Sequence, residues 1–233
     1  MRMEYKSVKY CFELSKVIDK NNKYHLWITS FAIALQDLTI INNIIYNRLR
    51  NDIEYNMYYY KINIGHLREA FNLLRNAYKN EEIRDRLVQI AGVEKMYNQI
   101  LELNDGESTD SFGKAVLFEL RNSIFHYIDE DKDFDTLKHV LDKLYRSNYT
   151  SSIQLYNNKD SEELKNDYRF GAEIQLNIIE HIGNSYKSPL EFEELLTKLT
   201  VLTAKVIRIL EAIVVDFISN TDPSKFSYLM KTR

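Results

Sequence analysis

The sequence predicts an all-α fold, a bundle of roughly six to eight helices with long antiparallel members, on three observations. Turn formers are scarce: six Gly and two Pro in 233 residues fall far below the combined share of about 12% in an average chain, too few for a many-stranded sandwich or barrel. The composition is 45% apolar and 28% charged, which gives a chain of this length a sizeable core inside a charged surface. Apolar residues also recur at three-and-four spacing, the period of a helix with one buried stripe. No repeat, low-complexity tract or long linker divides the chain, so residues 1–233 read as one domain.

Taken in order, the first long helix is predicted over 25–50 and the second over 53–78, with Leu67, Phe71, Leu74 and Tyr78 on one face. The pattern continues helically over 81–103. Residues 104–111, NDGESTDS, are the strongest break in the middle of the chain, a polar turn whose Ser and Asp side chains can cap a helix over 112–127. Residues 129–135 read as an acidic loop and 136–145 as a short helix. Residues 148–157, NYTSSIQLYN, have strand-like composition and read as a small β excursion. Ser161, with Glu162 and Glu163 after it, opens a helix to about residue 182. Ser188, Pro189 and Glu191 then form a capping box with Pro at the first helical position. From there Phe192, Leu195, Leu196, Leu199, Leu202, Val206, Ile209, Leu210, Ile213 and Phe217 make a buried stripe that Asp222 and Pro223 end.

Function classes are narrowed by what is missing. The lone Cys11 offers neither an internal disulfide nor a metal pair, which suits a reducing cytoplasm. The first twenty residues hold no uninterrupted apolar run, so no signal peptide is expected. The two most apolar stretches, 26–46 and 199–218, are interrupted by polar or charged residues, and neither is expected to span a membrane. Net charge is −3, so any nucleic-acid contact must be local. The sequence has no phosphate-cradling Gly-rich loop, zinc helix, Gly-x-Ser-x-Gly elbow or Cys pair. Asp129, Asp131 and Asp133 alternate like the first ligands of a calcium loop, but Phe134 and Val140 stand where that loop needs Gly and Glu. No metal and no cofactor are expected.

One segment stands out: Leu120-Arg121-Asn122-Ser123-Ile124-Phe125-His126-Tyr127. On a helix, Leu117, Leu120 and Ile124 share one face. Arg121, Asn122 and His126 span an arc on the other side with Phe118 and Phe125, an unusual surface unless a second molecule covers it. Asn122 and His126 are four apart, so the amide can orient the ring, and Arg121 is in reach of a phosphate shared with His126. The bland account of these residues pairs Arg121 with Glu119 or Asp129 and makes His126 an interfacial histidine.

The segment resembles the signature of the HEPN superfamily, small all-helical domains marked by Arg, four to six residues, then His, often with a polar residue directly after the Arg. Arg121, Asn122 and His126 match that pattern. The resemblance covers about residues 112–127, with GHLREAFNLLRNAY from Gly65 to Tyr78 similar more loosely. It implies a metal-independent endoribonuclease of the toxin or phage-defence kind, with Arg121, Asn122 and His126 catalytic and meeting their symmetry mates at a homodimer interface. Phe118, Phe125 and Tyr127 would bind single-stranded RNA beside them. An antitoxin partner belongs to the same expectation, although Ile128 stands where toxin members carry a Tyr that a partner modifies. The alternative is a catalytically silent HEPN-like protein that binds a nucleotide, RNA or a protein partner. His25, His66, His139 and His181 have no partner at ligand spacing and read as surface or half-buried histidines.

Overall fold

The computed structural model describes residues 13–48, 53–103, 117, 133–147, 174, 177, 178, 180, 181 and 192–221. Among these the fold is all-α, with seven helices and no strand. They are α1 (Leu14–Val17), α2 (Lys23–Arg48), α3 (Ile53–Lys79), α4 (Glu81–Leu87), α5 (Val93–Leu103), α6 (Asp133–Arg146) and α7 (Phe192–Thr221). The strand-like segment 148–157 and the capping box 188–191 lie outside the described residues.

Helix α2 begins two residues before the predicted start because Asn22 caps it. The Asn22 side-chain oxygen accepts from the backbone N–H of Tyr24 at 2.9 Å and of His25 at 3.3 Å, satisfying two of the amides that a helix start leaves orphaned. Helix α3 agrees with its prediction to within one residue. The continuous helix predicted over 81–103 is instead two helices. Asn80 caps α4 by accepting from Ile83 N–H at 3.3 Å, and residues 88–92 then turn the chain, with Gly92 at φ +80°. Helix α4 has already ended at Leu87; the left-handed conformation of Gly92, directly before Val93, suits Gly and redirects the chain into α5. Ile90 is buried and fixes the turn against the body. The acidic loop predicted over 129–135 is likewise shorter, since α6 already includes Asp133, Phe134 and Asp135.

The core lies among α2, α3 and α7, which all pack on one another, with α5 against α7 and α4 against α3. Of the stripe predicted on α7, Leu195, Leu199, Leu202, Val206, Ile209, Leu210, Ile213 and Phe217 are buried and Leu196 is half-buried against them, while the burial of Phe192 lies outside what is described. On α3, Leu67, Phe71 and Leu74 are buried, while the half-buried Tyr78 stacks on Tyr97 of α5 at 3.7 Å and 4°. Burial raises the pKa of the Tyr78 phenol, and Tyr97 and Glu94 add to the shift. Helix α2 is long and apolar enough to cross a membrane by length and composition. Its inner face supplies Ile28, Phe31, Leu38, Ile41 and Ile45 to the core, while most of that apolar stretch is not buried.

Helix α6 contributes Val140, which is buried apart from the main core. The helical residues between 174 and 181 tie it to the body. Ile178 packs on the main core, while Glu180 accepts from Lys143 Nζ at 2.9 Å and the His181 ring lies 4.5 Å from that of His139.

Candidate functional site

Arg121, Asn122 and His126, with Phe118, Phe125 and Tyr127, lie outside the described residues. Leu117, four residues before Arg121, is described: it sits in a π-type helical turn and is 2% exposed within the main core cluster. It is the first member of the apolar face read from the sequence, and it occupies the core as that face requires. Burying one Leu stabilises by roughly 1.5–3 kcal/mol.

The remaining histidines divide into three cases. His25 is part of the α2 start: its Nδ1 accepts the Asp19 N–H at 3.0 Å, so the neutral ring carries its proton on Nε2. Its ring meets Phe217 edge-on at 4.9 Å. His66 on α3 lies with Nδ1 3.6 Å from the Asp37 carboxylate on α2, both partly exposed. His139 and His181, read from the sequence as isolated, are ring neighbours across two elements. Burial holds the His181 imidazole below its ordinary pKa, and His139 and Lys143 push in the same direction. No local pattern could have paired residues so far apart in the chain.

The described residues supply no metal centre: no group of three or more His, Cys, Asp or Glu side chains converges among them. Arg86, which shares a corner with Tyr24 and Phe217, has its charge engaged. Its guanidinium stands 4.6 Å over the Tyr24 ring and 3.6 Å from Glu82. The three adjacent tyrosines divide as a helix dictates, Tyr58 exposed, Tyr59 half-buried and Tyr60 buried, with the Tyr58 and Tyr59 rings edge to face at 5.7 Å. The Arg121–His126 segment, outside the described residues, remains the candidate read from the sequence.

No protein-family model, no curated protein and no solved structure matches this chain.

Proposed function

We propose that this chain is a HEPN-like helical protein that cleaves single-stranded RNA without a metal ion, in the cytoplasm, as a toxin or phage-defence effector. The observation that carries the reading is the Arg121-Asn122-x3-His126 spacing in a chain whose described residues form an all-α bundle. The burial of Leu117 in the core supports it, because Leu117 is the one described member of the apolar face that the reading requires to point inward.

The chemistry follows from the side chains. His126 takes the proton from an RNA 2′-hydroxyl, whose oxygen attacks the adjacent phosphorus. The P–O5′ bond breaks, and the 5′-oxygen leaves with a proton from the imidazolium of the second copy. Arg121 holds the phosphate through two N–H donors and stabilises the charge that builds on it. Asn122 orients the imidazole, while Phe118, Phe125 and Tyr127 stack the flanking bases. The site is composite, so the working form is a homodimer, with an antitoxin as its natural restraint.

The test is purified protein with single-stranded RNA and DNA. Cleavage of RNA to a 2′,3′-cyclic phosphate, with DNA inert, is expected. His126→Ala should lose about a hundredfold or more in rate, and Arg121→Lys should be impaired although its charge is kept. Equal cleavage by wild type and His126→Ala would mean a contaminant. A second reading, a silent binding module, draws on Asp129, Asp131 and Asp133 just after His126, which repel a phosphate backbone. Under it, expression of wild type and of His126→Ala would affect host growth alike.

A further inference from the structure

His139 on α6 and His181 come from elements far apart in the chain, yet their rings lie 4.5 Å centre to centre. Both stand on anchored backbone. Val140, next to His139, is buried, and Ile178, one helical turn before His181, packs on the main core. The tilt of 39° between the rings is neither the offset-parallel nor the edge-on arrangement that aromatic packing favours, so ring packing alone does not account for the pair. A shared ion does fit it. Two imidazoles bound at about 2.0–2.1 Å, at an angle between square and tetrahedral, hold their ring centres roughly 4.5–5.2 Å apart.

We infer that His139 and His181 form a two-imidazole site for a divalent late transition-metal ion of the zinc and copper class, which clamps α6 to the rest of the fold. The class follows from the ligands, since imidazole suits zinc and copper whereas magnesium and calcium require oxygen. Burial, with His139 and Lys143 acting in the same direction, holds the His181 imidazole below its ordinary pKa, which keeps its lone pair free for a metal near neutrality. The neighbouring Lys143 is already matched: its Nζ donates to the Glu180 carboxylate at 2.9 Å, so the pair opposes an entering cation with little net charge. His139 is exposed and His181 half-buried, so the ion enters from solvent and keeps water on its remaining positions. Two protein ligands make an exchangeable ion, not a resident one, for which three or four are usual. A chain purified without added metal therefore holds none for a chelator to remove. The site uses neither Arg121 nor His126, so it stands apart from the ribonuclease reading: an inert chain binds the ion in the same way.

Calorimetry of the full chain with zinc alone tests it, in a Cys11→Ser background that removes the lone thiol as a competing ligand. For a Kd of about 10 µM, zinc at about 100 µM should raise the melting temperature by about 3–6 °C, and magnesium at the same concentration should leave it unchanged. His139→Gln, at an exposed position, should abolish the shift. His66→Gln should keep it, although His66 stands beside Asp37. Pulsed electron paramagnetic resonance with one equivalent of copper(II) reads the ligands directly, before any histidine is replaced. Two imidazoles are expected, falling to one in His139→Gln and to one in His181→Gln. No zinc shift in the parent chain, a shift that survives His139→Gln, or a copper signal with a single imidazole overturns the inference.

Discussion

Asn63 of α3 and Thr203 of α7 meet inside the core: the Asn63 amide donates to Thr203 Oγ1 at 2.9 Å, and both residues are buried. The Thr203 hydroxyl donates in turn to the Leu199 carbonyl at 2.8 Å, so it serves as acceptor and donor at once. An unsatisfied buried amide costs about 1–3 kcal/mol, whereas removing both partners together is close to neutral. The expected outcome is that Thr203→Val loses about that amount. Asn63→Leu with Thr203→Val should lose less than the two single changes summed. Urea denaturation of the four proteins of this cycle measures it, and additive losses would show the pair to be uncoupled.

Gly92 separates conformation from packing. Its φ is +80°, yet a Cβ built there meets nothing within 4 Å. Gly92→Ala should therefore cost about 1–2 kcal/mol, all of it backbone strain, and Gly92→Asn less, since Asn tolerates the left-handed region. A loss of 4 kcal/mol or more in thermal unfolding would point to a clash that this geometry does not contain.

The attachment of α6 should depend on pH. His181 has its folded pKa held below the ordinary 6.5 by burial, His139 and Lys143. As pH falls, the unfolded chain takes up the proton first. The stabilising contribution is therefore complete above the ordinary value and is lost as pH falls through the folded pKa. Between about pH 7 and pH 5 the amides of α6 should lose hydrogen-exchange protection, after correction for intrinsic rates, and His181→Asn should flatten that trend. Protection that rises on acidification would contradict the sign.

Chelation should change neither the melting temperature nor RNA cleavage, given that no ligand group converges among the described residues. A ΔΔG of 1 kcal/mol moves a domain of this size by about 2–4 °C, so calorimetry with and without EDTA resolves it. A drop of several degrees would reveal a bound ion, with residues 129–135 the first segment to search.

Long-range apolar period was the most legible feature of the chain. The α7 stripe and the Leu67, Phe71 and Leu74 face follow from spacing alone, because a buried helix face must repeat every three or four residues. Boundaries were less legible, each for a physical reason. Asn22 ahead of Lys23 and Tyr24 moves the α2 start, since a cap acts on the two or three amides that follow it. Gly92 costs a helix only about 1 kcal/mol, so periodicity ran through it, and only the fold shows the chain turning there. Pairings such as His139 with His181 or Asn63 with Thr203 leave no local trace. For the candidate site, the Arg121–His126 spacing and the apolar face beginning at Leu117 are what the sequence offers, and Leu117 is where it meets the described fold.

The position of α7 in chain order bears on biosynthesis. It packs on α2, α3 and α5, yet it is made after all of them. At ribosomal rates of about 5–20 residues per second, the emerging α2 and α3 wait on the order of ten seconds for the partner that closes their core. During that interval the Ile, Leu and Phe faces that will meet α7 are wet and adhesive. A message truncated ahead of residue 192 would leave the faces of α2, α3 and α5 that pack on α7 without their cover, a sticky fragment and not a smaller folded protein.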